Sequence, residues 1–138
     1  TYVFDKSAFT GDTLFAAGCG RLFEGTPAEM DQSLKRFSNL PKETQVFCGH
    51  EYTESNLIFA AEVEKDNEDI ANRLKLVKKL REKDLVTLPS SIELELKTNP
   101  FMRVDVKSVI DAATNYSDTP LNSDSDVLGA IRDWKDNF

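Results

Sequence analysis

The chain opens on alternating residues and settles into a helical rhythm. Tyr2-Val3-Phe4 and Ala8-Phe9-Thr10 are short β-prone runs around the polar tight-turn sequence Asp5-Lys6-Ser7, a pattern that predicts a hairpin. The only other strand signal is Gln45 to Cys48, after the loop signal Leu40-Pro41. A hairpin alone is not stable in water. A chain that opens inside one, with the hairpin's sheet partners nowhere downstream, is expected to be the later part of something longer.

A glycine-punctuated loop, Ala17-Gly18-Cys19-Gly20-Arg21-Leu22-Phe23-Glu24-Gly25, leads to a helix start: Thr26 as N-cap, Pro27 at the first helical position and Glu29 closing a capping box. Met30, Leu34 and Phe37 give that helix its buried stripe. Beyond His50 the character changes. Thr53 is placed to cap a helix through about Glu64, with Leu57, Ile58 and Ala61 inward, and Ile70, Leu74, Val77 and Leu80 mark a longer amphipathic helix. Mixed charges on its other faces predict a solvated surface. Ser90 and Glu93 form a second capping box for a short helix that Asn99-Pro100-Phe101 ends. Two more short helices are predicted, from about Val106 to Ala113 and from Ser123 or Asp124 to the end, with a polar, mobile loop over Asn115 to Asp126 between them. The class is α+β, with strands and loops over residues 1–53 and helices over 54–138. No Gly/Ser linker separates the halves, so they should pack on each other directly.

Composition narrows the functions. With 138 residues and 40% apolar content the chain has the make-up of one compact soluble domain. A formal net charge of −7 argues against nucleic-acid or membrane-surface binding, either of which needs a basic field. Cys19 and Cys48 are too few and too far apart for a disulfide framework, which points to a reducing compartment. There is no apolar run near the length of a membrane span and no charged-then-apolar leader, and any targeting segment would precede Thr1.

Few residues stand out as chemistry. Asp12 and His50, the only histidine, each follow a predicted strand, where a sheet delivers side chains to a cleft. Singly, Asp12 reads as a turn residue and His50 as a structural imidazole. Together they are a carboxylate and an imidazole suited to zinc, iron or manganese, with Cys48 or Cys19 as weaker ligands, but a catalytic metal needs about three protein ligands. Glycines 18 and 20 permit positive φ or the close backbone approach of an anion-binding nest, with a tight connection and Cys19 as a buried filler as the plainer reading. Arg132 and Lys135 share a face of the last helix, where they favour the helix dipole and could also hold a carboxylate.

Read together, these residues resemble glyoxalase II (hydroxyacylglutathione hydrolase) of the metallo-β-lactamase superfamily. The match runs from Phe9-Thr10-Gly11-Asp12-Thr13-Leu14-Phe15 through Ala17-Gly18-Cys19-Gly20-Arg21 to Phe23-Glu24-Gly25-Thr26. It recurs at Cys48-Gly49-His50-Glu51-Tyr52-Thr53, at Asn99-Pro100-Phe101-Met102-Arg103 and at Arg132 through Phe138. The resemblance covers the whole chain but only the second half of the family's length. It implies the C-terminal part of a metallo-β-lactamase αββα sandwich (1–53) followed by an all-helical, substrate-binding C-terminal domain (54–138). It also implies Asp12 bridging two divalent metal ions, zinc with iron or manganese as alternatives, and His50 as the last ligand of the second. Arg21, Tyr52, Arg132 and Lys135 match positions that hold glutathione, and Phe23 matches one that is Tyr or Phe. The implied activity is hydrolysis of S-2-hydroxyacylglutathione thioesters such as S-D-lactoylglutathione, with metal-activated hydroxide attacking the thioester carbonyl. The implied location is cytoplasmic, with mitochondrial as the alternative.

The family's Thr-His-x-His-x-Asp-His motif and a further histidine are absent from the sequence. The expectation is therefore a chain inactive alone, with an incomplete or absent binuclear centre, whose partner is the missing N-terminal half of the same enzyme. Two other readings share the motifs. A persulfide dioxygenase has Thr-Gly-Asp and Cys-Gly-Arg, but Asn99-Pro100-Phe101 and the basic pair discriminate against it. A non-catalytic interaction module would keep the fold without turnover.

Overall fold

The computed structural model describes residues 2–22 and 25–138. Its main sheet has four strands in the order β1 (Tyr2–Phe4), β2 (Ser7–Gly11), β5 (Gln45–Cys48), β6 (Ser90–Ser91), and a two-residue pair, β3 (Leu14–Phe15) and β4 (Gly18–Cys19), lies apart from it. β1 and β2 form the predicted hairpin, with Phe4 opposite Ser7 and Asp5 at φ 54° in the turn. β2 then pairs in parallel with β5, and β5 antiparallel with β6. The hairpin therefore has sheet partners downstream, contrary to expectation, because a parallel partner can lie a whole crossover away in sequence. The ladder slips between Phe9 and Gly11, at the end of β2 that leads to Asp12. β6 was missed, since two serines carry no strand pattern, and it joins the later, helical part of the chain to the sheet.

Among the described residues there are six helices: α1 (Pro27–Ser38), α2 (Thr53–Val63), α3 (Glu68–Glu82), α4 (Ile92–Thr98), α5 (Lys107–Ser117) and α6 (Asp124–Asp136), with a 3-10 turn at Pro100–Met102. At the start of α1 the Thr26 hydroxyl accepts from the Glu29 N–H, so the predicted cap is present. Other expectations change. Thr53 is the first helical residue of α2, and its hydroxyl pairs with that of Thr87 at 2.7 Å instead of capping. Ile58 faces solvent, while Phe59 and Ala60 turn inward beside Leu57. The cap of α4 is Ser91, one residue later than predicted, because Ser90 is drawn into a buried polar network. α5 continues to Ser117, past the predicted end at Ala113, and Asp118 in the left-handed conformation stops it, so residues 115–117 are helix and not loop.

One apolar core runs through both parts. Leu14, Cys19, Leu34, Phe37 and Val46 pack with Phe59, Ile92, Phe101, Val109, Leu128 and Ile131, and a smaller cluster joins Ala17 to Leu57, Ala60, Ile70 and Val77.

Between the two clusters lies a buried charge network. The Glu95 carboxylate, wholly buried, accepts from Arg73 Nη1 at 2.8 Å and from the Ser90 hydroxyl at 2.6 Å on one oxygen. On the other it accepts from the Ala17 N–H at 2.8 Å and from the Asn99 amide at 2.9 Å. Arg73 also donates to Thr98 and Ser90. A buried ion pair contributes little over a well-packed apolar substitute, but removing one partner strands the other charge. Glu95→Ala is therefore expected to cost about 3–5 kcal/mol in denaturant unfolding. A loss below about 1 kcal/mol would show that the pair carries no structural weight.

Candidate functional site

A cavity of about 500 Å³ is lined by Asp12, Phe15, Cys19, Gly20, Arg21, His50, Tyr52, Ser55, Asn56, Arg132 and Lys135. Six of the seven residues to which the resemblance assigns a role thus border one space, and Cys19 joins them while Cys48 does not. The seventh, Phe23, lies outside the described residues. A larger, more open depression of about 830 Å³ beside Trp134 and Tyr116 contains none of them.

The two strand ends meet at one edge of this cavity. Asp12 follows β2 and His50 follows β5, and the parallel pairing of those strands brings His50 Nε2 to 3.3 Å from Asp12 Oδ1. The close approach depends on Gly49, where a Cβ would stand 2.9 Å from that same carboxylate oxygen. Both side chains are half-exposed or more, at 50% for His50 and 75% for Asp12. The imidazole stacks on Tyr52 at 4.9 Å, and the edge of Tyr52 meets Phe15 at 5.2 Å. Its neighbour Glu51 is anchored: the carboxylate accepts from the Thr87 N–H at 2.6 Å and from the Thr87 hydroxyl at 2.7 Å. Burial alone would raise the Glu51 pKa, but the Thr87 and Thr53 hydrogen bonds hold it below the ordinary glutamate value.

One oxygen and one nitrogen donor, exposed and in contact, fit part of the ligand set of a first-row divalent ion. Among the described residues no third His, Cys, Asp or Glu joins them. Cys19 is a poor ligand, because burial pushes its thiol up to about 11 and only the thiolate binds metal. Cys48 is also shifted upward by burial, and its thiol donates to the His50 carbonyl at 3.3 Å.

The β3–β4 loop from Leu14 to Gly20 lines the cavity floor through Phe15, Cys19 and Gly20, and it is fixed by side chains from three helices or their ends. Besides Glu95 on the Ala17 N–H, the Asn99 amide donates to the carbonyls of Phe15 (3.3 Å) and Gly18 (3.0 Å), and the Asn56 amide donates to that of Ala16 (3.1 Å). The left-handed residue is Ala17 (φ 60°), while glycines 18 and 20 serve close approach. A Cβ at Gly20 would fall 2.0 Å from the Asp12 carbonyl oxygen. This is not an anion nest: the loop turns the carbonyls of Cys19 and Gly20 toward a cation.

That cation is Arg132. It is 5% exposed, donates to Cys19 O at 2.7 Å and Gly20 O at 3.5 Å, and lies over the Phe101 ring at 5.3 Å. Its remaining edge donates to Asp136 Oδ1 at 2.8 and 3.1 Å. Arg21, mostly exposed, approaches the same carboxylate at 3.8 Å. Lys135, half-buried, has no hydrogen-bond or ion-pair partner among the described residues. Burial first, and the Arg132 charge second, push its pKa below the ordinary lysine value. Of the basic pair, Arg132 is engaged in structure and Lys135 is the one open to an anion.

Pattern reading missed Glu95, Asn99 and Asn56, the side chains that hold the floor. Only Asn99 carried a signal, as the helix-ending residue before Pro100.

Several comparisons bear on this arrangement. A family model described as hydroxyacylglutathione hydrolase C-terminus matches residues 51–138. A curated protein named hydroxyacylglutathione hydrolase from Idiomarina loihiensis is 52% identical over 129 residues, covering 94% of this chain and 51% of its own length. Another of that name from Pseudomonas aeruginosa (strain LESB58) is 55% identical over 130 residues, covering 94% and 50%. A third, from Pseudomonas fluorescens, is 52% identical over 128 residues, covering 93% and 50%. The chain spans about half the length of the curated relatives it matches.

Stability should separate the two basic residues. Arg132→Ala strands two buried carbonyls and is expected to cost about 2–3 kcal/mol. A lysine whose folded pKa is depressed pays for its charge at every pH below that pKa, and the penalty fades as pH rises toward the ordinary lysine range. Lys135→Met should therefore leave stability at neutral pH unchanged or slightly higher, by less than about 1 kcal/mol. Equal losses for both substitutions in urea unfolding would contradict this division.

Proposed function

Because the chain belongs to the hydroxyacylglutathione hydrolase C-terminus family, we propose that it is the substrate-gripping part of an enzyme that hydrolyses S-2-hydroxyacylglutathione thioesters, S-D-lactoylglutathione among them. The observation that carries this reading is the single cavity in which the Asp12–His50 pair faces Arg21, Tyr52 and Lys135. On this reading residues 1–53 complete the C-terminal part of a metallo-β-lactamase sandwich, residues 54–138 form the substrate-binding helical domain, and the protein works in the cytoplasm. The match of the family model to the helical part supports the hydrolase over a persulfide dioxygenase.

Asp12 and His50 would hold part of a two-metal centre, and the N-terminal half would supply the remaining ligands. When bound, the metals supply Lewis acidity and a nucleophile competent at neutral pH. Every other contribution comes from this chain. Lys135, desolvated and unpaired among the described residues, receives a carboxylate of the glutathione moiety, and the charge pair relieves its depressed pKa. Arg21 adds a second, solvent-exposed cation for the same anionic ligand. Tyr52, stacked on His50, sets the imidazole plane and gives the substrate an aromatic wall. Arg132 acts through the Cys19–Gly20 carbonyls, keeping the floor in register with Lys135. Phe23 matches a position that the resemblance gives as Tyr or Phe, and its part in holding glutathione rests on that resemblance. Orientation of this kind raises the rate because the bound thioester is already placed for attack.

The test joins this chain to an N-terminal half that carries the Thr-His-x-His-x-Asp-His motif and follows S-D-lactoylglutathione hydrolysis. The joined protein should turn over and the chain alone should not. Asp12→Ala should then lower kcat/KM by more than about a hundredfold with loss of bound metal, beyond the usual cost of an outer ligand partner. Lys135→Ala should raise KM roughly ten- to hundredfold with kcat little changed, as removal of one charged hydrogen bond does. A joined protein that binds metal fully yet never turns over would make the chain an interaction module.

A further inference from the structure

Asn56 brings to the cavity a buried polar atom that nothing so far uses. Asn56, on α2, is 3% exposed and lines the space. Its amide nitrogen donates to the Ala16 carbonyl at 3.1 Å, which fixes the orientation of the group, since the reverse flip would set oxygen against oxygen. Its Oδ1 accepts from no described residue. Every fully buried side-chain polar atom among the described residues has a partner, so this unpartnered oxygen is not sealed in and opens onto the cavity. The neighbouring Ser55 hydroxyl is turned away, donating to the Tyr52 carbonyl at 3.0 Å. Elsewhere in the lining Arg132 is committed to the loop and Asp12 Oδ1 lies against His50, and the Tyr52 hydroxyl has no hydrogen bond among the described residues.

A neutral acceptor fixed in the same cavity as Arg21 and Lys135 suits a neutral donor on an anionic ligand. Resting on the hydrolase reading above, we propose that Asn56 Oδ1 accepts a peptide N–H of the glutathione moiety and so selects peptide thioesters over simple acyl thioesters. The carboxylate on Lys135 supplies attraction, and the Asn56 contact supplies discrimination, because a ligand without the N–H leaves a half-buried oxygen unpaired. The side chain does two jobs with its two ends: nitrogen to the floor, oxygen to the ligand.

The test is a cycle of ligand and protein changes, run on the chain joined to the N-terminal half. Binding of S-methylglutathione is compared by calorimetry with two analogues, each having one peptide N–H replaced by an ester oxygen. In the wild-type protein one of the two analogues should bind about tenfold more weakly, the size of one neutral hydrogen bond. In Asn56→Ala that analogue and its parent should bind equally, whatever the overall loss. If neither analogue is weakened in wild type, or if the weakening survives in Asn56→Ala, the assignment is wrong. Should the variant fail to fold, amide exchange of bound 15N-labelled S-methylglutathione on wild type decides: one of the two peptide protons should exchange at least tenfold more slowly than in the free ligand, and free-peptide rates at both would overturn the proposal. A wild-type protein that does not bind S-methylglutathione at all would refute the hydrolase reading, whereas binding without discrimination would refute only the role of Asn56.

Discussion

A seven-residue loop held from both sides is the constraint on which this structure turns. Glu95 takes the N–H of Ala17, Arg132 takes the carbonyls of Cys19 and Gly20, and two asparagine amides take those of Phe15, Ala16 and Gly18. A buried loop would otherwise carry unsatisfied backbone groups at a cost of about 1–3 kcal/mol each. The loop therefore exists in this shape only while helices α2, α4 and α6 stand where they do. Conversely, those helices are located by the polar groups they must reach as well as by the apolar core.

The same arrangement joins scaffold to chemistry. Asp12 enters the loop and Arg21 leaves it, so the carboxylate end and the cationic end of the cavity are separated by a segment that cannot flex freely. Arg73 and Glu95 extend the hold to α3, well away from the cavity. Charge is spent economically here: Arg132 is neutralised by Asp136 and consumed by carbonyls, which leaves Lys135 as the cation whose desolvation a ligand can relieve.

Much of this was legible in sequence. Apolar spacing placed α1, α2 and α3, and the Thr26-Pro27 start was readable because caps act locally. The Asp12–His50 pairing was inferred from two strand ends, and it holds because β2 and β5 are parallel neighbours. What escaped was non-local. Ser90 looked like a cap and instead serves Arg73 and Glu95; Ile58 fitted the helical stripe and faces out; β6 has no pattern of its own. Arg132 and Lys135 look equivalent at three-residue spacing, and only depth distinguishes a structural cation from an open one. Glu95 reads as an ordinary surface glutamate in Glu93-Leu94-Glu95, although it is wholly buried and accepts from four residues. Periodicity reports which face is inward, not which inward group is polar and why.

The tether of Glu51 to Thr87 carries a consequence for how this protein can vary. Thr87 sits in the segment between α3 and β6, a connection that would ordinarily be free to lengthen or drift. Here its backbone N–H and hydroxyl are both pledged to the residue next to His50, so the imidazole stands on a post whose other foot is in that connection. Insertions there would reach the histidine through two hydrogen bonds. A stretch of chain outside the cavity thus helps to set where the imidazole stands.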